Sequence, residues 1–207
     1  MHRNFEDARR WSHQGTTLLL SAVAGLSTDG YEEPSALPGW TRQHLIAHVD
    51  ANADALGNLV RWAATGVPTP MYADADERAA AIERGARLSA GQLSRRVRES
   101  ANRLAAASAA LTPEQWFQEI VTAQGRTVSA AEIPWMRARE VFVHTVDLVS
   151  GVTFDDLPED FLLALEADVI AKRGEVPAIR GPLPQRIAWL TGRPHTLTNA
   201  PELGPWL

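Results

Sequence analysis

Across residues 76–111, Ile82, Ala86, Leu93, Val97, Leu104 and Leu111 recur at spacings of four and seven, and this recurrence most constrains the fold. A period of 3.5–3.6 residues lays one apolar stripe along a helix, and such a stripe is stable only when packed on another element. Three more stretches supply partners. Residues 4–27 carry Leu18, Leu19, Val23 and Leu26, and residues 41–65 carry Leu45, Val49, Leu56, Leu59 and Val60. A fourth helix is expected to run from about Ser129 to Ser150, where Ser129 and Glu132 have capping-box spacing and Gly151 follows as a stop. Thr41 is placed to cap the second helix. Proline and glycine punctuate the joints at Pro34, Pro38, Gly39, Gly66, Pro68, Pro70 and Pro113. The reading is a mainly α protein, a four-helix bundle over residues 1–151.

Two parts stand outside that scheme. The segment IVTAQGRTV, within 117–128, is β-prone and could turn a small hairpin about its Gln-Gly-Arg centre. After Gly151 prolines become dense (Pro158, Pro177, Pro182, Pro184, Pro194, Pro201, Pro205), with helical patterns near 158–173 and 184–191. Residues 152–207 read as a small C-terminal appendage, too short to trust as an independent domain.

The chemistry is concentrated in REVFVHTVDL. Glu140 and His144 stand four residues apart among Val141, Phe142, Val143, Val146 and Leu148, so on a helix they share a face. A carboxylate and an imidazole in apolar surroundings are costly unless something pairs with them, and a metal ion satisfies both. His48, on the second helix, offers a third ligand. Two histidines and one carboxylate leave a coordination position open for water or substrate, and could equally hold non-haem iron. His44 and His48 also share i,i+4 spacing, so spacing alone leaves open which histidine of that helix binds.

The 207-residue chain has no cysteine, which excludes disulfides, thiolate ligands and a cysteine nucleophile. Any thiol chemistry must borrow its thiol from a small molecule. Lys172 is the only lysine, so Schiff-base chemistry at the candidate site is excluded as well. A net charge of −5 argues against nucleic acid as partner. No run of about eighteen apolar residues marks a membrane span, and MHRNFEDARRW lacks the apolar core of a signal peptide. A cytoplasmic monomer or homodimer is expected.

The motifs LPGWTRQHLIAHVDANADAL, MYADADERAAAIERGAR, IPWMRAREVFVHTVDL and IAWLTGR, in that order, resemble the mycothiol-dependent maleylpyruvate isomerases, members of the DinB-like group of four-helix metalloproteins. The resemblance covers residues 1–151 and returns at 187–193. It implies zinc, or another divalent metal, held by His48, Glu140 and His144, and so prefers His48 to His44. It implies roles for Arg78 and Arg193 in catalysis and in holding the anionic substrate or thiol, and Asn52 is placed with them in cofactor binding. The implied activity is cis-trans isomerisation of maleylpyruvate, a small dicarboxylate, to fumarylpyruvate. A low-molecular-weight thiol, expected to be mycothiol, adds reversibly to the cis double bond. A thiol S-transferase or a non-catalytic metal-binding bundle are the alternatives. The C-terminal region reads as reduced relative to the family, which places thiol choice and substrate shape in question.

Overall fold

The computed structural model describes residues 3–204 and Trp206; Met1, His2, Pro205 and Leu207, the last proline of the C-terminal series among them, lie outside the described residues. Two compact units form, one of Phe5–Ser150 and one of Gly151–Leu207 with the N-terminal residues before Phe5.

In the larger unit, α1 (Phe5–Ala24), α2 (Arg42–Thr65), α4 (Ala90–Ala109) and α5 (Ile133–Asp147) make the bundle, and a short α3 (Ala75–Gly85) packs on α2. Helix α1 lies against α5 and α4, and α2 against both of the same partners, which closes a four-membered ring of helices. Gly15 sets the α1–α5 approach: a Cβ there would come within 2.6 Å of Val141 Cγ2. Thr41 caps α2 as expected, accepting from the His44 amide, and Gly66 ends it in the left-handed conformation at φ 71°. The hairpin forms from β1 (Glu119–Val121) and β2 (Thr127–Ser129), antiparallel with Ile120 opposite Val128.

Three expectations are corrected. The single helix over 76–111 is broken at residues 86–89. No proline or glycine marks the break within those residues; instead Ser89 and Gln92 form a full capping box that starts α4 afresh. The expected Ser129–Glu132 box is absent, because Ser129 accepts from the Ala131 amide and donates to the Trp116 carbonyl, capping a 3-10 turn ahead of α5. Helix α5 stops at Asp147 rather than near Ser150. Val149 there adopts φ 53°, a conformation that β-branched residues rarely take. Arg42 holds it, with Nε donating to the Leu148 carbonyl at 2.6 Å and Nη2 to that of Val149 at 2.8 Å. A cation at a helix C-terminus also suits the dipole.

The apolar core of this unit falls into two clusters. One holds Leu19, Val23, Leu45, Val49, Val97 and Val141; the other Leu56, Leu59, Leu104, Trp116, Ile120 and Ile133. Along α2 and α5 the residues between them include the buried polar Asn52 and Arg137. Apolar burial, worth ~25 cal/mol per Å², is the main attraction between these helices.

In the smaller unit α6 (Glu159–Arg173) packs on α7 (Leu183–Leu190). Arg186 clamps Glu166 with Nε at 2.7 Å and Nη2 at 3.2 Å, and the Trp189 indole donates to the Pro201 carbonyl. Pro158 and Pro182 stand just before the two helices, where a missing amide hydrogen costs nothing.

Candidate metal centre

His48 comes from α2, and Glu140 and His144 from α5, the last two on one face by their i,i+4 spacing. Their ligand atoms all lie within 4.8 Å of one another, and among the described residues no other group of three or more metal-ligating side chains is so gathered. His48 Nε2 is 3.1 Å and His144 Nε2 3.3 Å from the same oxygen, Glu140 Oε2. Two ring nitrogens thus converge on one carboxylate oxygen, and a single divalent cation would satisfy all three groups in place of protons. His44 stands apart: its Nδ1 lies 2.7 Å from the Thr41 hydroxyl, and its Nε2 faces Glu83.

The surroundings favour ligation. His144 Nδ1 donates to Asp147 Oδ2 at 2.9 Å, and Asp147 is fully buried. A carboxylate on the far nitrogen fixes the imidazole's orientation and leaves Nε2 for a metal. The His48 ring packs edge-on against Trp40, with centroids 5.6 Å apart, and against His144 at 5.0 Å. His48 Nδ1 is buried without a partner.

Electrostatics separate the two histidines. Burial pushes His48 below the usual range, outweighing its bond to Glu140. Burial acts on His144 in the same direction, but the bonds to Asp147 and Glu140 overcome it and carry the ring up to about 9. The Glu140 carboxyl sits well below the ordinary range: burial opposes this, and the hydrogen bonds from His144 and His48 prevail. In the metal-free protein, therefore, Glu140 is ionised, His48 neutral and His144 protonated near neutral pH.

Arg78, on the first turns of α3, is exposed; its charge is felt at His48, and it hydrogen-bonds Tyr72. Tyr72 also feels Glu140, and burial raises its hydroxyl pKa. Asn52 is buried with Oδ1 accepting from Arg137 Nη1 at 3.0 Å, so its oxygen supports that arginine. Arg193 belongs to the smaller unit, where Nη1 donates to the Thr191 carbonyl and the guanidinium lies over Trp206. Asp147, Tyr72 and Trp40 escape the sequence reading. Asp147 alone had a usable signal, its position three residues after His144.

A mainly helical bundle with this topology is DinB-like. The profile of the mycothiol maleylpyruvate isomerase N-terminal domain matches residues 12–149, and the chain belongs to that family. Among solved structures it is similar to the mycothiol-dependent maleylpyruvate isomerase, at 33% identity and a TM-score of 0.92 over 99% of this chain and 98% of the other. A histidine-to-alanine mutant of that isomerase aligns with a TM-score of 0.93 at the same identity and coverage. The C-terminal segment is thus matched in length by both structures, where the sequence reading expects a reduced one. No curated protein matches the chain.

Proposed function

We propose that this protein is a metal- and mycothiol-dependent isomerase that converts maleylpyruvate to fumarylpyruvate. The observation that carries the reading is the convergence of His48, Glu140 and His144 in a chain that aligns end to end with such an enzyme. The donor set fits a divalent metal of borderline softness, zinc foremost: two imidazoles, one already oriented by a buried carboxylate, and one ionised carboxylate. With no cysteine in the chain, the nucleophile comes from the small thiol.

A divalent ion on these residues would supply Lewis acidity, keeping a bound thiol ionised near neutral pH. The side chains do the rest. Asp147 holds the His144 ring in register, and Trp40 packs edge-on against the buried His48 ring. Glu140 contributes one negative charge and the imidazoles none, so a substrate with two carboxylates needs cations beyond the ligands. Arg78, with Tyr72 beside it, offers one planar fork and a hydroxyl for a carboxylate. Arg193, singled out by the resemblance of its motif, is proposed to bind an anionic group of the substrate or thiol, its guanidinium steadied by Thr191 and Trp206.

The test is turnover of maleylpyruvate by metal-free and zinc-reconstituted protein, each with and without mycothiol. Activity is expected only where zinc and thiol are both present. Turnover in thiol-free buffer removes the reading.

A further inference from the structure

A cavity of about 160 Å³ opens in the bundle between α1, α4 and the start of α5, and the ligands His48, Glu140 and His144 take no part in lining it. Its wall combines apolar Leu104, Trp116 and Ile133 with the hydroxyls of Ser12 and Thr16, and with Arg137. None of the residues lining it is acidic.

Arg137 is the anomaly. It is 2% exposed, and only one of its three guanidinium nitrogens is engaged: Nη1 donates to the Val49 carbonyl and to Asn52 Oδ1, each at 3.0 Å. Nε and Nη2 are buried without a partner. These two nitrogens share one edge of the guanidinium, and their N–H bonds run parallel, the fork that a carboxylate fills with two hydrogen bonds. Burial draws the group down to about 10, with the charges of Glu140 and Asp50 acting in the opposite sense, so it remains a cation at neutral pH. A buried cation with two idle donors is costly unless something pairs with it.

We propose that this cavity is a binding site for a small organic carboxylate: a small shift of the Arg137 side chain, which lines the cavity but keeps Nε and Nη2 covered in the ligand-free protein, offers both nitrogens to the two carboxylate oxygens while the apolar body lies against Leu104 and Trp116. Its size admits a ligand of a few carbons up to a single ring, and the absence of acidic groups in the wall favours an anion over a neutral or cationic molecule.

The probe is benzoate, with benzamide as its uncharged counterpart, added to the zinc-loaded full-length protein. Benzoate should raise Tm and shift the arginine side-chain Nε–H resonance of Arg137, and benzamide should do neither. Ala105 is an exposed residue of the wall. The Ala105→Phe variant, which fills the cavity, should retain maleylpyruvate turnover and weaken benzoate binding by about tenfold or more. The proposal is overturned if benzoate does not bind, if benzamide binds equally well, or if Ala105→Phe binds benzoate as the unaltered protein does. The resonance shift is read on the unaltered protein, so it decides the matter even where the variant folds poorly.

Discussion

Removing the carboxylate behind His144 isolates what that buried acid does. Asp147 is fully buried, and its Oδ2 accepts a hydrogen bond from His144 Nδ1 at 2.9 Å, while its backbone carbonyl accepts independently from the Ala36 amide. Asp147→Asn keeps an oxygen for Nδ1–H and loses the charge; Asp147→Ala loses both. Removal of such a partner typically weakens metal binding ~10–100-fold, which is about 1.4–2.7 kcal/mol. Alanine adds the cost of a buried N–H with no acceptor, ~1–3 kcal/mol on the fold. A competing effect must be separated. Against burial, Asp147 and Glu140 together raise the His144 pKa to about 9, so loss of Asp147 reduces proton competition at neutral pH and masks part of the weakening. Zinc affinity is therefore measured by chelator competition both near pH 7 and near pH 9. The loss should be larger at the higher pH, and the affinities should rank wild type, then Asn, then Ala. Equal zinc affinity for all three near pH 9 would refute the argument that Asp147 orients a metal ligand.

Alanine at His48, Glu140 or His144 should abolish stoichiometric zinc and turnover together while far-UV circular dichroism keeps its helical signal; full zinc occupancy in Glu140→Ala contradicts the ligand set. For the metal-free protein, His144 rises on folding from an ordinary 6.5 to about 9, so its stabilisation is complete below about pH 6.5 and is lost as pH climbs through 9. The unfolding free energy read from urea melts should accordingly fall over that window by about 3 kcal/mol at most, and zinc should flatten the dependence. Arg193→Lys should impair turnover with zinc retained, and Arg193→Ala should lose roughly 2–4 kcal/mol of transition-state stabilisation, read from kcat/KM. Normal turnover in Arg193→Ala would return the carboxylate-binding role to Arg78.

How much could be read without coordinates depended on whether a signal was local. Thr41 as a cap, the hairpin around Gly125, and the shared face of Glu140 and His144 are matters of spacing within a few residues, and all of these local arrangements form. The break at residues 86–89 was hidden because the apolar period continues across it, and the local signals are Gly85, where α3 ends, and the Ser89–Gln92 pair that starts α4. The early end of α5 depends on Arg42, more than a hundred residues away, taking the last carbonyls. In the candidate site, His48 meets Glu140 across 92 positions, a juxtaposition that no local pattern encodes. Arg137 reads in sequence as one more basic residue of a helix, and its burial beside Asn52 follows only from how the two apolar clusters meet.

The measurement that bears most directly on the proposed activity is thiol accounting. Zinc-loaded protein is given mycothiol and an excess of maleylpyruvate, and free thiol is titrated before and after many turnovers alongside formation of the trans product. Fumarylpyruvate is expected in large excess over enzyme with the thiol concentration unchanged, since an isomerase returns what it borrows. Stoichiometric loss of free thiol, with a stable conjugate in place of the trans isomer, would contradict the proposed activity and mark the protein as a thiol transferase.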